Sequence, residues 1–501
     1  MLSNRKKEVD LLTQRLNQGQ GAHFCLVTGK RKTGKTTLVK EYLGRERGAY
    51  ISIGSKSTSL QLSDISDYLK TFEFTEGEIF VPSFKTWKEF FEYLFYISRE
   101  QRLQIVLDDF QNIEFIEPEI FDVLRKLYEN KKSKSCLNLI VISSDFTFIN
   151  KYFYDKESPL YQITDFTLKL APFKLKDVIK LYLSCGSKLS PDEIARIYII
   201  FGGMPYYYNI IRHFQLWNCN ANELIKELVL SEYAPLRHEL SEIVLHDFTR
   251  DNKVYFSILQ AIAQNISNMS AISSAIDFPV TSIAKYLGVL EYKKKLIKRK
   301  LPLNEINKIN SKYGKYYISS YFENFWFRFI QPDFNSFSLG KYKKMLAYIN
   351  GTIDTYTLDR IYLLIREIIN DPCNEKTIRK YFGTSFVRAG GLWNRKYNIE
   401  IAAEENNRLL LAKVLHKNEI TLENFQQLFS VFKKFIPADE SVECIKALFV
   451  TSETPYEIKE YAAEKEITIV QLQTFFADVF KSYVLPAARE KAKPRVIRQK
   501  V

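Results

Sequence analysis

Gly29-Lys30-Arg31-Lys32-Thr33-Gly34-Lys35-Thr36 fits G-x-x-x-x-G-K-[ST], and its flanks restrict what the chain can fold into. Before it, His23-Phe24-Cys25-Leu26-Val27-Thr28 reads as a short buried strand. After it, Thr37-Leu38-Val39-Lys40-Glu41-Tyr42-Leu43 reads as the opening turns of a helix. A strand, a glycine loop and a helix start aim several backbone N–H groups and the positive helix end at one point, which suits a polyphosphate. Gly29 and Gly34 permit the tight loop and a close backbone approach. Lys35 has the reach for β- and γ-phosphates, and the Thr36 hydroxyl suits Mg²⁺. Residues Gly29 to Thr37, with Lys30, Arg31, Lys32 and Thr33 between the glycines, are therefore expected to bind a nucleoside triphosphate such as ATP.

A phosphate loop needs a carboxylate at the end of a neighbouring strand. Gln104-Ile105-Val106-Leu107-Asp108-Asp109-Phe110-Gln111 supplies one. Asp108 is the candidate Mg²⁺ group, acting through water, because Mg²⁺ keeps several waters and takes few carboxylates. Asp109 stands where a residue that orients the attacking water is expected, one methylene shorter than glutamate. A third strand, Asn138 to Ser144, ends in hydroxyls, and Ser144 is the candidate γ-phosphate sensor.

The 501 residues suggest three to four domains, with 46% hydrophobic and 14% aromatic residues available for their cores. No run approaches the ~18–20 apolar residues of a membrane helix. The N-terminal stretch reads as a charged amphipathic segment rather than a signal-peptide core. Cysteines 25, 136, 185, 219, 373 and 444 are scattered without a C-x-x-C, and the five histidines are dispersed. That pattern suggests reduced thiols in a cytoplasmic protein, without a disulfide framework or zinc site. The net charge of +14 favours polyanionic partners.

Four blocks and a tail follow along the chain. Residues 1–171 alternate strands and helices, predicting an α/β parallel sheet covered on both faces, with ligands at the carboxyl ends of its strands. Residues 172–250 read as a helical lid, with Ile194 to Phe201 stopped by Gly202-Gly203 and Pro205. Residues 251–344 give three helical segments and two strands, predicting a winged helix-turn-helix. Its third helix would enter a major groove and its hairpin would touch the DNA backbone. Lys285, Lys293, Lys294, Lys295, Lys298 and Arg299 are the candidate contacts to double-stranded DNA, with a protein partner as the alternative. Residues 345–485 mix helices and strands in another α/β domain, and residues 486–501 read as a basic disordered tail.

Taken in order, these features resemble the AAA+ "archaeal ATPase" family, prokaryotic P-loop proteins related to the STAND and origin-recognition NTPases. The resemblance rests on Asn4-Arg5 with Glu8, the P-loop, Leu107 to Gln111, and Ser158-Pro159-Leu160-Tyr161 ahead of Leu170-Ala171-Pro172-Phe173. It continues through Gly202 to Tyr207, the helix-turn-helix, and Tyr321 to Phe329. It implies ATP binding and hydrolysis, a C-terminal module similar to restriction-endonuclease-like nucleases, and an Arg5 that lines the adenine side. Three departures qualify this. The family's Asp-Glu pair is Asp108-Asp109, and its Gly-Arg after Ser-Pro-Leu-Tyr is Gln162-Ile163. Where a nuclease needs an acid and an acid-x-lysine, Glu400 is followed on the next strand by Lys413 and Leu415. A cation at a metal position repels Mg²⁺ and leucine cannot activate water, so nuclease activity is not expected. The expected function is a Mg²⁺-dependent ATPase or nucleotide switch coupled to a DNA- or protein-binding module. The alternative is a DNA-binding regulator that uses ATP as a structural ligand, and a metal-dependent nuclease is the weaker one.

Overall fold

The computed structural model describes residues 5–46, 48–72, 80–240, 252–308, 311–439 and 441–484. The basic tail, the end of the expected lid and Asn4 lie outside the described residues. The chain divides into two units, Met1–Phe173 with Met204–Ile210, and Lys174–Gly203 with Ile211–Val501.

In the first unit the strands are β1 (His23–Thr28), β2 (Gly48–Ser52), β3 (Leu103–Asp108), β4 (Leu137–Ser143) and β5 (Phe166–Lys169). They form one sheet in the order β2-β3-β4-β1-β5, with every pair parallel. The three inner strands β3, β4 and β1 are almost wholly buried because both faces are covered, whereas the edge strands β2 and β5 are partly exposed. Side chains alternate between the faces along β1. Phe24 and Leu26 join one core, packed against Trp87, Phe90 and Phe91 of the helix Trp87–Ile97. Cys25 and Val27 join the other, with Leu38, Val39 and Tyr42 of the helix that follows the P-loop. The helix Trp87–Ile97 has a polar N-cap. Thr86 Oγ1 caps it by accepting the Glu89 amide at 3.2 Å. Asp165 pins the start of β1 by accepting the Phe24 amide at 2.9 Å, and it also holds Tyr128 and Lys132.

The second unit carries the expected helical stretch, including Leu175–Ser184 and Pro191–Phe201. The latter ends at Gly202, whose φ of 67° suits a residue without Cβ. Next come the helices Asn252–Ala263, Met269–Ala275 and Val280–Gly288, then the antiparallel hairpin of β6 (Ile297–Lys300) and β7 (Lys315–Ile318). This is the element order expected for residues 251–344.

The last block forms a mixed sheet of β8 (Arg388–Trp393), β9 (Asn398–Glu405), β10 (Arg408–Leu415), β11 (Glu443–Val450) and β12 (Ile467–Gln471), in the order β12-β11-β10-β9-β8. β8 was not read from the sequence because Gly390-Gly391 weakens its strand signal. The connection between β6 and β7 is tied down near both of its ends. Leu303 is buried in the core of this sheet, Trp393 Nε1 donates to the Tyr313 carbonyl at 2.6 Å, and Lys315 Nζ donates to Asn398 Oδ1 at 2.9 Å.

Candidate functional site

Parallel strands bring Thr28, Asp108 and Ser143 to one edge of the first sheet, with Thr28 level with Ser143 and Asp108 level with Ser52. The loop after β1 turns sharply there. Gly29 has φ 152°, and a Cβ on it would lie 2.4 Å from the Leu170 carbonyl oxygen. Gly34 has φ 87° and opens the helix Lys35–Leu43. Lys32 takes φ 65° without being glycine, and its ammonium lies 4.2 Å from the centre of the Tyr206 ring. The Thr33 hydroxyl donates to the Lys30 carbonyl at 2.8 Å and so closes the loop on itself. Arg31 and Thr37 are exposed.

Lys35 is buried, and its Nζ donates to the carbonyls of Gly29 and Lys30, each at 2.9 Å. Burial lowers its pKa from 10.5 to about 8, against the pull of Asp108 and Asp109, which favours the charged form. At neutral pH the amine therefore carries its charge in a nearly dry position, where an anion gains most from it.

Thr36 Oγ1 donates to Asp108 Oδ2 at 2.7 Å, so a residue of the P-loop helix and one at the end of β3 meet directly. Tyr50 OH donates to the same oxygen at 2.5 Å, and burial, with that hydrogen bond, raises the Tyr50 phenol pKa. Asp108 Oδ1 accepts the Asp109 amide at 2.8 Å. A hydroxyl and a carboxylate side by side are the hard-oxygen donors that Mg²⁺ takes, so these residues fit that ion. Asp109 adopts φ 54° and has an exposed side chain. Its Oδ1 accepts Gln111 Nε2 at 3.0 Å, while Gln111 Oε1 accepts the Ser143 hydroxyl at 2.7 Å. The hydroxyl linked to Asp109 is thus that of Ser143. Ser144, one residue beyond the strand, is half-buried. Tyr50 was not read as a site residue, because only the strand order places it beside Asp108; Gln111 was given no role, and of the two strand-end hydroxyls Ser144 rather than Ser143 was singled out.

Arg5 also reaches the loop. Its Nη2 donates to the carbonyls of Ala171 at 2.5 Å and Thr33 at 3.3 Å, Nη1 pairs with Glu8 at 2.7 Å, and the guanidinium lies 4.8 Å from the Phe173 ring centre. Gln162 adopts φ 57°, where a glycine would sit without strain, and Ile163 is buried in the core beside Leu160. The position that would carry an arginine side chain has become part of the hydrophobic interior.

Further along, Lys285, Lys293 and Lys298 are exposed, whereas Lys294 and Lys295 are half-buried, with Lys295 Nζ 5.7 Å from the Tyr292 ring centre. Arg299 is half-buried and tied into the hairpin's own loop. Its Nη2 donates to the Ser311 carbonyl at 2.5 Å, and a Cβ on Gly314 would fall 2.2 Å from its Nε. The expected contact of the hairpin with a DNA backbone is likewise limited, since its connecting loop is held by the C-terminal sheet. In that sheet Glu400 and Lys413 line a cavity, and Leu415 is buried in the core.

A parallel sheet in this order, with a P-loop at its edge and a carboxylate two strands away, defines a P-loop NTPase fold. Residues 2–210 match the family described as an ATPase domain predominantly from Archaea. The chain is also similar to the uncharacterized protein MJECL04 of Methanocaldococcus jannaschii, 22% identical over 466 residues that cover 89% of this chain and 98% of that protein. Among solved structures, the Walker-type ATPase PABY2304 of Pyrococcus abyssi shares the fold with TM-score 0.51 and 17% identity, over 64% of this chain and 94% of that one. No described helix is long and apolar enough to cross a membrane.

Proposed function

We propose that this protein binds ATP with Mg²⁺ at the P-loop edge and acts as an ATPase or nucleotide switch, with residues 251–344 as a winged-helix module that carries its state to DNA or a protein partner. The observation that supports this reading is the direct bond between Thr36 and Asp108, two oxygen donors of the kind Mg²⁺ takes, in the same loop-and-strand edge as the buried Lys35. Lys35 and the amides of residues 29–37 would hold the phosphates, and Thr36 and Asp108 would hold the metal, which screens phosphate charge when bound. Asp109 would orient a water, held in direction by Gln111 and Ser143. Ser144 remains a candidate sensor at the same strand end, and Arg5 would brace the loop beneath the nucleotide.

Steady-state phosphate release, measured beside ATP binding, tests this. Asp109→Asn should lower release at least about a hundredfold, the usual scale for losing a general base, while ATP still binds. Lys35→Ala should abolish both. A second reading, a DNA-binding regulator in which ATP is a structural ligand, is favoured by the buried Ile163, which leaves no cation at that place. Phosphate release at background in the wild type, with ATP bound, would decide for it. Tight ATP binding by Lys35→Ala would refute both.

A further inference from the structure

Between β7, the helix Ile361–Asn370 and the strands β9 and β10 lies a cavity of about 340 Å³ within the second unit. Its lining is rich in charged side chains. Arg360, Arg366, Lys315 and Lys413 line it, together with Tyr362 and Glu400. Arg360 is 8% exposed and Arg366 7%. Neither guanidinium has an ion-pair partner among the described residues, and the Nε of each is buried without a hydrogen bond. Arg366 lies 4.7 Å from the Tyr362 ring centre and Arg360 5.4 Å from that of Tyr356, contacts that orient a cation without neutralising it. The acids nearby compensate only in part. Asp359, joined to His416 at 2.9 Å, Glu419, which accepts the His416 amide at 2.9 Å, and Glu400 set three carboxylates against four cations, and none of the three forms an ion pair with either arginine.

Largely buried guanidinium groups without ion-pair partners are costly, so an anion bound beside them would offset that cost. The backbone makes room for the Arg366 guanidinium itself. Gly391 sits where a Cβ would fall 2.2 Å from Arg366 Nη2, so strand β8 can pass the guanidinium only without a side chain there. Glu400 adds a second demand, because its Oε2 is buried without a donor, although Oε1 accepts Asn398 Nδ2 at 3.0 Å. A ligand that suits all of these is anionic at one end and a hydrogen-bond donor at the other, with a flat middle for Tyr362. We propose that this cavity is a binding site for a phosphate monoester of mononucleotide size, separate from the P-loop. Arg360, Arg366 and Lys413 take the phosphate, and Glu400 accepts from a hydroxyl or amine of the ligand. Fork-shaped guanidinium groups suit phosphate oxygens in particular, and the volume lies in the range of small-molecule sites.

The ligand has two sources of the same chemistry, a free mononucleotide or the 5′-phosphorylated end of a nucleic-acid strand. The test uses the full-length chain carrying Lys35→Ala, which silences the P-loop. Inorganic phosphate, AMP and adenosine are titrated by calorimetry and thermal shift. Phosphate and AMP should bind saturably and adenosine should not. Arg366→Met should weaken AMP at least tenfold while leaving the ligand-free melting temperature unchanged or raised, since an unpartnered buried charge is removed. Lys413→Gln, at a half-exposed position, should weaken AMP several-fold with the fold intact. A 5′-phosphorylated oligonucleotide that outcompetes AMP, and loses that advantage with a 5′-hydroxyl, assigns the strand end; the reverse ranking assigns the free nucleotide. Absence of saturable phosphate binding, or AMP binding unchanged in both variants, would overturn the proposal. So would an Arg366→Met that melts lower while AMP still stabilises it as before, the behaviour of a structural arginine.

Discussion

The pair Gln162-Ile163 offers a direct test of why this chain lacks an arginine where its resemblance calls for one. Gln162 sits at φ 57° and Ile163 is 7% exposed within the main core of the first unit. Writing the family pattern back as Gln162→Gly with Ile163→Arg changes two terms of opposite sign. The glycine relieves a left-handed residue and should stabilise by up to about 1 kcal/mol. The arginine forfeits the burial of an isoleucine, about 2 kcal/mol, and brings a guanidinium into apolar surroundings, several kcal/mol more. A net loss of about 4 kcal/mol is expected, which for a unit of this size lowers the melting temperature by about 8–16 °C.

Calorimetry and denaturant titration of the full-length chain read this directly, with Gln162→Gly alone as the control that should melt slightly higher. Phosphate release should not rise in the double variant, because a side chain replacing a core residue does not gain access to the nucleotide. A double variant that melts like the wild type and releases phosphate faster would refute the reasoning. It would mean that Ile163 fills no essential space and that the site lacks only charge.

Other outcomes follow from the same geometry. Gly29→Ala should lose ATP binding at least tenfold by fluorescent-nucleotide titration, because its Cβ would meet the Leu170 carbonyl at 2.4 Å. Asp108→Asn should keep Mg²⁺-free ATP binding but lose the gain in affinity on adding Mg²⁺, since the oxygen shared by Thr36 and Tyr50 would no longer be charged. Burial opposes the charge of Asp165, but the bonds from Lys132, Tyr128 and the Phe24 amide outweigh it and hold its pKa below 3.8. Its stabilisation is therefore complete above the ordinary carboxylate range and is lost as pH falls through the lower folded value. Asp165→Asn should lower the melting temperature at pH 7 and flatten its acid limb. For duplex DNA, neutralising Lys285, Lys293 and Lys298 together should weaken binding and reduce the log-affinity slope against log salt by about 0.9 per lost phosphate contact. An unchanged slope would remove these lysines from any DNA surface.

Much of the first unit was legible because its signals are local. An apolar run ending in glycine marks β1, and one ending in two aspartates marks β3, with no need to know their neighbours. What could not be read depends on strand order. Tyr50 contributes to the site only because β2 pairs with β3, and Ser143 rather than Ser144 joins Asp109 only because Gln111 folds back beneath the strand end. In the second unit, Glu400, Lys413 and Leu415 were recognisable as a departure from nuclease chemistry. Arg360 and Arg366 were not, since a charged residue in Ile361-Tyr362-Leu363-Leu364-Ile365-Arg366 reads as the polar face of an amphipathic helix.

The β6–β7 connection shows how such long-range packing alters a functional reading made from local pattern. A hairpin with Lys298 and Arg299 reads as a wing aimed at phosphates, yet its loop is committed elsewhere. Leu303 lies in the C-terminal core, Tyr313 accepts from Trp393, and Arg299 braces the loop from within. Releasing the loop toward a duplex would expose Leu303 at a cost of about 2 kcal/mol, and would break two hydrogen bonds to the sheet as well. Contacts that leave this packing intact are cheaper, and they fall on the exposed Thr281, Ser282 and Lys285 of the helix Val280–Gly288, with Lys293 and Lys298 beside it. Leu303→Asp separates the two routes. If the helix carries DNA contact, freeing the loop should leave affinity for duplex unchanged; if the wing does, affinity should rise.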